Sequence, residues 1–173
     1  MKIFNKNTSI CLLIIMLVFS RLIPHPPNFT PIISIVLLSG TLFQTFTLAA
    51  VVFFLSMLVS DFIIGFYPGM IFTYITLMVI GMLFYFIFNK INYKNLIFYS
   101  FFGSLIFYTI TNFFVWLNGN IYEPTINGLI QCYILAIPFF SNTLLSTIFF
   151  SYLTFVCINK IKTYFYKIEI NRV

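Results

Sequence analysis

Long apolar stretches separated by short polar connections make up nearly the whole chain. Crossing the hydrocarbon core of a bilayer takes an α-helix about 20 residues, within a range of roughly 17–25. Large apolar residues stand side by side, as in Phe53-Phe54-Leu55, whereas a membrane-spanning strand would alternate polar and apolar positions. The pattern therefore predicts helical spans, at residues 8–23, 31–46, 48–64, 70–88, 96–117 and 138–158.

Prolines and polar groups mark the predicted ends of these spans. Pro24, Pro26 and Pro27 follow the first span, and proline ends a helix because it lacks the backbone N–H and clashes with the preceding turn. The polar group at 44–47 is the predicted turn between the second and third spans. Residues 128–137 are too few to cross alone, so they form an interfacial or re-entrant segment or the first turns of a bent last helix.

Composition changes this picture only by excluding a soluble fold. The chain is 61% hydrophobic and only 7% charged, against about 25% charged residues in a soluble domain. We therefore predict one all-α, polytopic membrane domain over residues 1–173, a transmembrane bundle of six spans with the lipid bilayer as its surroundings.

The net charge of +6 comes from small basic groups between the spans. Cytoplasmic loops are enriched in Lys and Arg, so we interpret these groups as orientation signals and not as a nucleic-acid surface. With six spans and both termini in the cytoplasm, every one of the nine Lys and Arg residues except Arg21 falls on the inner side.

This orientation places many polar residues at the outer ends of the spans. Polar groups in or beside a membrane are costly unless they are paired or wetted, and they often mark substrate paths. The sequence thus predicts an outward-opening binding pocket, and its candidate substrate-binding residues are Arg21, His25, Asn28, Asp61, Tyr108, Asn112, Trp116 and Asn142.

Two groups of these candidates also have a structural interpretation. Arg21 and Asp61 could complement a charged ligand, or could form an ion pair with each other. Tyr108, Asn112 and Trp116 are spaced by four and therefore share one helix face. That face could stack on and hydrogen-bond a small amphipathic ligand, or could serve helix packing, where Asn and Ser bond across helices.

No catalytic set is evident. The chain has one His and three acidic residues, and the spacings of zinc proteases, serine hydrolases and phosphate-binding loops are absent. We expect no enzyme, no metal site and no cofactor.

Four strings of the sequence resemble a family of small bacterial membrane proteins described as transport proteins. They are residues 21–31, 60–66, 111–116 and 128–143, and the resemblance covers residues 9–155. That family is similar in size and layout to the substrate-binding S components of energy-coupling factor (ECF) vitamin transporters. The resemblance implies a six-helix protein of the bacterial cytoplasmic membrane, with a vitamin-like ligand near the outer face and separate ECF-type transmembrane and ATPase subunits as partners.

The expected function is uptake of a small molecule. The alternative is a non-transport membrane subunit or scaffold of a cell-envelope complex. The alternative predicts that the polar residues pair with one another and leave no cavity.

Overall fold

The computed structural model describes residues 6–43, 45–86, 92–118 and 121–170, and within these ranges every regular element is a helix. The all-α prediction is confirmed there. In chain order the helices are α1 (Lys6–Leu22), α2 (Ile32–Leu37), α3 (Ser39–Leu42), α4 (Phe46–Ile64), α5 (Met70–Phe86), α6 (Leu96–Leu117), α7 (Ile126–Leu135) and α8 (Ile137–Ile170).

Local sequence signals account for several helix ends. The Thr45 hydroxyl accepts a hydrogen bond from the backbone N–H of Leu48 at 3.2 Å and caps α4, since a threonine oxygen can satisfy a free donor of the first turn. Thr45 belongs to the predicted turn at 44–47, of which Gln44 lies outside the described residues. At the other end of α4, Gly65 adopts a φ of 108°, a conformation that glycine takes without a steric penalty.

The second predicted span differs from the structure. Residues 31–46 contain two short helices, α2 of 6 residues and α3 of 4 residues, instead of one continuous helix. At 1.5 Å per residue these helices are roughly 9 and 6 Å long. Every residue of α2 is buried, because α2 packs against α4, α5, α6 and α8. Tertiary burial, and not helix length, stabilises this segment.

The last two helices also differ from the predicted bounds. The segment predicted at 128–137 is the separate helix α7, which ends at Leu135, and α8 then runs from Ile137 to Ile170, beyond the predicted 138–158. Pro138 lies in the first turn of α8, where its missing N–H costs no hydrogen bond.

Side-chain contacts show which helix ends lie together. Arg21 of α1, Asp61 of α4 and Tyr74 of α5 meet at one end of the bundle, which we call the polar end. At the opposite end, Phe46 contacts Tyr85 with ring centroids 5.6 Å apart. Helices α4 and α5 are therefore antiparallel. The segment containing α2 and α3 leads from the polar end, after α1, to the start of α4 at the opposite end.

Burial follows a pattern that suits an apolar surrounding. The buried positions of α6 and α8 include many small or hydroxyl-bearing residues, which let helix backbones approach closely; they are Ser100, Gly103, Ser104, Thr143, Ser146, Thr147 and Ser151. Large apolar side chains instead point outward, among them Phe54, Phe62, Ile71 and Phe149. Apolar outer faces of this kind indicate contact with lipid or with another protein.

Among the described residues, three helices are long and apolar enough to cross a membrane: Phe46–Ile64, Leu96–Leu117 and Ile137–Lys160. The shorter apolar helices are the part of α1 at Leu13–Leu22, α5 at Met70–Phe86 and α7 at Ile126–Leu135. The chain is thus compatible with a membrane protein.

Candidate functional site

An ion pair between Arg21 and Asp61 joins α1 to α4 at the polar end. Arg21 Nη2 lies 2.5 Å from Asp61 Oδ1, and the Asp61 side chain is completely buried. The Tyr74 hydroxyl donates a hydrogen bond of 2.5 Å to Asp61 Oδ2, which adds α5 to the group. The predicted alternative of an Arg21–Asp61 ion pair is therefore what the structure contains.

Hydrogen bonds fix the guanidinium further. Arg21 Nη1 donates to the Ser60 hydroxyl and, at 3.3 Å, to the Met57 carbonyl. The Ser60 hydroxyl in turn donates to the carbonyl of Ser56 at 2.8 Å. These contacts and the ion pair hold the guanidinium of α1 against the C-terminal part of α4.

A cavity of about 300 Å³ lies against this network. A volume of this size is at the lower limit of small-molecule pockets, which hold roughly 300–1,000 Å³. Its polar walls combine one charged, one imidazole, one amide and several hydroxyl side chains: Arg21, His25, Asn28, Thr30, Thr73 and Thr143. Its apolar walls include Met57, Leu77 and Phe107. We call this space the polar cavity.

The polar cavity reaches the surface at the polar end. Ile64 and Tyr67 belong to its wall and are also 55% and 39% exposed. Asp61 is not part of the wall, because the carboxylate lies behind Arg21 and is fully buried. Three of the eight predicted binding residues therefore line one cavity, and Asp61 supports one of them.

Asn142 holds the loop that supplies part of this wall. Its amide nitrogen donates to the Pro27 carbonyl at 3.1 Å, and the Ser146 hydroxyl donates to the Asn28 carbonyl at 3.4 Å. Asn28 has a φ of 63°, a left-handed conformation that asparagine tolerates better than most residues. Asn142 thus positions Asn28 from α8 and is not itself part of the cavity wall.

The predicted face of α6 has a different role. The Tyr108 hydroxyl donates to the Tyr133 carbonyl at 2.6 Å, and Trp116 Nε1 donates to the Glu123 carbonyl at 3.0 Å. The Asn112 amide donates to the Tyr108 carbonyl of its own helix at 2.8 Å. Tyr108 and Trp116 therefore join α6 to α7 and to the loop before α7, whereas the Asn112 side chain bonds within α6. We call this contact region of α6, α7 and the loop the packing corner. None of the three residues lines the polar cavity.

Within the ranges that the structure describes, no three His, Cys, Asp or Glu side chains come together as a set of metal ligands.

Comparison with known proteins identifies a family whose description names no function. A family model described as "Family of unknown function (DUF6580)" matches residues 1–168. The chain belongs to this family. No curated protein and no solved structure matches the chain. Membership of the DUF6580 family leaves the role of the polar cavity to be argued from its residues.

Several residues of the site carried no usable sequence signal. Thr73 and Tyr74 lie in an apolar stretch near the start of the predicted span 70–88. Only the packing of α4 on α5 brings Tyr74 to Asp61 and Thr73 to the cavity. Thr143 stands beside Asn142 among the polar residues that begin the last predicted span, but only the packing of α8 shows that Thr143, and not Asn142, lines the cavity.

Proposed function

We propose that this member of the DUF6580 family is a membrane protein that binds a small, vitamin-like molecule in the polar cavity for uptake. The observation that carries the proposal is the cavity itself, whose walls include Arg21, His25 and Asn28. A cavity with both polar and apolar walls gives a ligand an apolar surface and directional hydrogen bonds. The role is binding and transport, and not catalysis.

The proposal includes six membrane crossings. Helices α1, α4, α5, α6 and α8 would each cross once, and the broken α2–α3 segment would return the chain inside the bundle. Helices α1 and α5 have 17 residues each, which is the lower limit of about 17 for a crossing. The bundle would surround α2, whose backbone would then be shielded from lipid by its neighbours.

The polar end would face the outside of a bacterial cytoplasmic membrane, with both termini in the cytoplasm. Lys94 and Lys160 support this orientation, because both are exposed and lie near Tyr93 at the end opposite the polar one. Lysine at the ends of spans favours the cytoplasmic side.

Energy for uptake would come from separate subunits. The resemblance to ECF S components supports ECF-type transmembrane and ATPase partners, which would dock on the apolar outer faces.

The packing corner favours the second candidate, a scaffold subunit, since its polar groups are bonded within the protein. The polar cavity favours the first, because a scaffold that pairs its polar residues predicts no cavity.

Native mass spectrometry of the purified protein tests the proposal by detecting co-purified small molecules. Thr73→Trp would fill the cavity, and Val115→Trp, at an exposed position of α6, is the matched control. We expect a bound molecule in the wild type and in Val115→Trp but not in Thr73→Trp. Equal occupancy in all three proteins, or no bound molecule in the wild type, would contradict the proposal.

A further inference from the structure

A second, apolar crevice adjoins the polar cavity between α4 and α5. Its volume is about 40 Å³. Apart from a few polar groups, its walls are apolar side chains of these two helices, and they include Ala49, Ala50, Phe53, Phe54, Met78 and Gly81. We call this crevice the apolar slot.

The two spaces share the same dividing side chains. Met57 and Leu77 line both the polar cavity and the apolar slot, and they are only 4% and 6% exposed. Methionine is unbranched and adapts its shape to a neighbour. Rotation of the Met57 side chain would therefore join the cavity to the slot without moving a helix.

The slot opens on the outer face of the α4–α5 pair. Phe54 and Met78, on its walls, are 51% and 38% exposed. The surrounding exposed residues of these helices, such as Leu58 and Ile75, are also apolar. This face is the one that would meet lipid.

The network beside the cavity limits the charge of an occupant. The charge of Arg21 is already balanced by Asp61 at 2.5 Å. An anion in the cavity would be repelled by the buried Asp61 carboxylate. A neutral group that accepts hydrogen bonds from the polar wall, which includes Arg21 and Asn28, would avoid this penalty.

We infer that the ligand is amphipathic: a neutral hydrogen-bond acceptor occupies the polar cavity, and a short hydrocarbon tail of the same molecule passes between Met57 and Leu77 into the apolar slot. The inference rests on the proposed function and names its substrate class. One water-sized sphere needs about 10–15 Å³, so a slot of about 40 Å³ limits the tail to a few carbons.

The test uses a homologous series of primary amides, from acetamide to octanamide, in equilibrium dialysis against the detergent-purified protein. Empty micelles at the same detergent concentration correct for partition. In the wild type, affinity should rise about fourfold for each added methylene that is buried, and should level off once the slot is full. In Ala50→Trp, which fills the slot, affinity should not change with chain length.

Val79→Trp is the control, because Val79 is 38% exposed on α5 and lines neither space. It should keep the wild-type dependence on chain length. The same dependence in all three proteins, or no dependence and no binding in the wild type, would overturn the inference.

The failure of this inference can be told from failure of the proposed function. A co-purified molecule that is lost in Thr73→Trp but retained at wild-type occupancy in Ala50→Trp would refute the tail site and leave the polar cavity as a binding site. Loss in neither variant would refute both.

Discussion

The polar cavity and the packing corner lie in the same bundle and both contain polar side chains, but the surroundings of those side chains differ. At the packing corner, Tyr108 and Trp116 donate to backbone carbonyls of residues 133 and 123, so their polar groups are used by the protein. At the cavity, Arg21 is paired with Asp61 and also lines an open space. A polar side chain in such a bundle thus points to a ligand when it borders a cavity, and to packing when its contacts lie wholly within the protein.

Removing the carboxylate should have the largest effect. Asp61→Ala leaves Arg21, whose side chain is only 14% exposed, without a counter-ion, and breaking a buried pair costs about 3–5 kcal/mol. We expect a loss of that order in the free energy of unfolding, measured by denaturant titration in mixed micelles. The double variant Arg21→Met/Asp61→Ala removes both charges and should be less destabilised than Asp61→Ala. A double variant that is destabilised more than Asp61→Ala would show that the two charges are not coupled.

Two Tyr→Phe variants compare the regions directly. Tyr74→Phe removes a hydrogen bond to a carboxylate, worth about 1.5–3 kcal/mol, whereas Tyr108→Phe removes one to a neutral carbonyl, worth about 0.5–1.5 kcal/mol. The same unfolding assay should give the larger loss for Tyr74→Phe. The reverse order would contradict the buried carboxylate network.

Gly128→Ala should damage the packing corner alone. A Cβ at Gly128 would lie 2.1 Å from the Glu123 carbonyl oxygen, the same oxygen that accepts from Trp116. We expect a loss of about 1–3 kcal/mol, typical of overpacking, and a shift in Trp116 fluorescence. Occupancy of the polar cavity, read by native mass spectrometry, should stay at the wild-type level. A parallel loss of bound ligand would show that the two regions are not independent.

The smallest effect is expected at the loop that closes the cavity wall. Asn142→Ala removes the hydrogen bond to the Pro27 carbonyl, worth about 1 kcal/mol. Backbone amides of residues 25, 28 and 29 should exchange hydrogen faster, while those of α4 should not change. Unchanged exchange in this loop would mean that Asn142 does not hold it. Ser141→Ala, one position earlier, is the control, because the Ser141 hydroxyl donates within its own helix.

The sequence predicted the helical class and offered the Arg21–Asp61 ion pair as an alternative, but it did not indicate Tyr74 or the contacts of α6. The spacing of Tyr108, Asn112 and Trp116 correctly put them on one helix face. Which neighbour that face meets depends on where the chain places α7, and no local pattern carries that information. The apolar run at 31–46 likewise did not reveal its division into α2 and α3, because a buried run has no periodicity to show a break. The Arg21–Asp61 pair was foreseeable because opposite charges near a membrane seek each other.

Accessibility from outside the cell tests the central claim most directly, namely that the polar cavity opens outward. Cys11, Cys132 and Cys157 are replaced by Ser, and single cysteines are introduced as Thr73→Cys in the cavity, Asn112→Cys at the packing corner and Lys94→Cys at the opposite end. A membrane-impermeant thiol reagent is then applied to intact cells. The proposal predicts labelling of Thr73→Cys only, with Lys94→Cys labelled after the membrane is permeabilised. Labelling of Lys94→Cys but not Thr73→Cys in intact cells would contradict it.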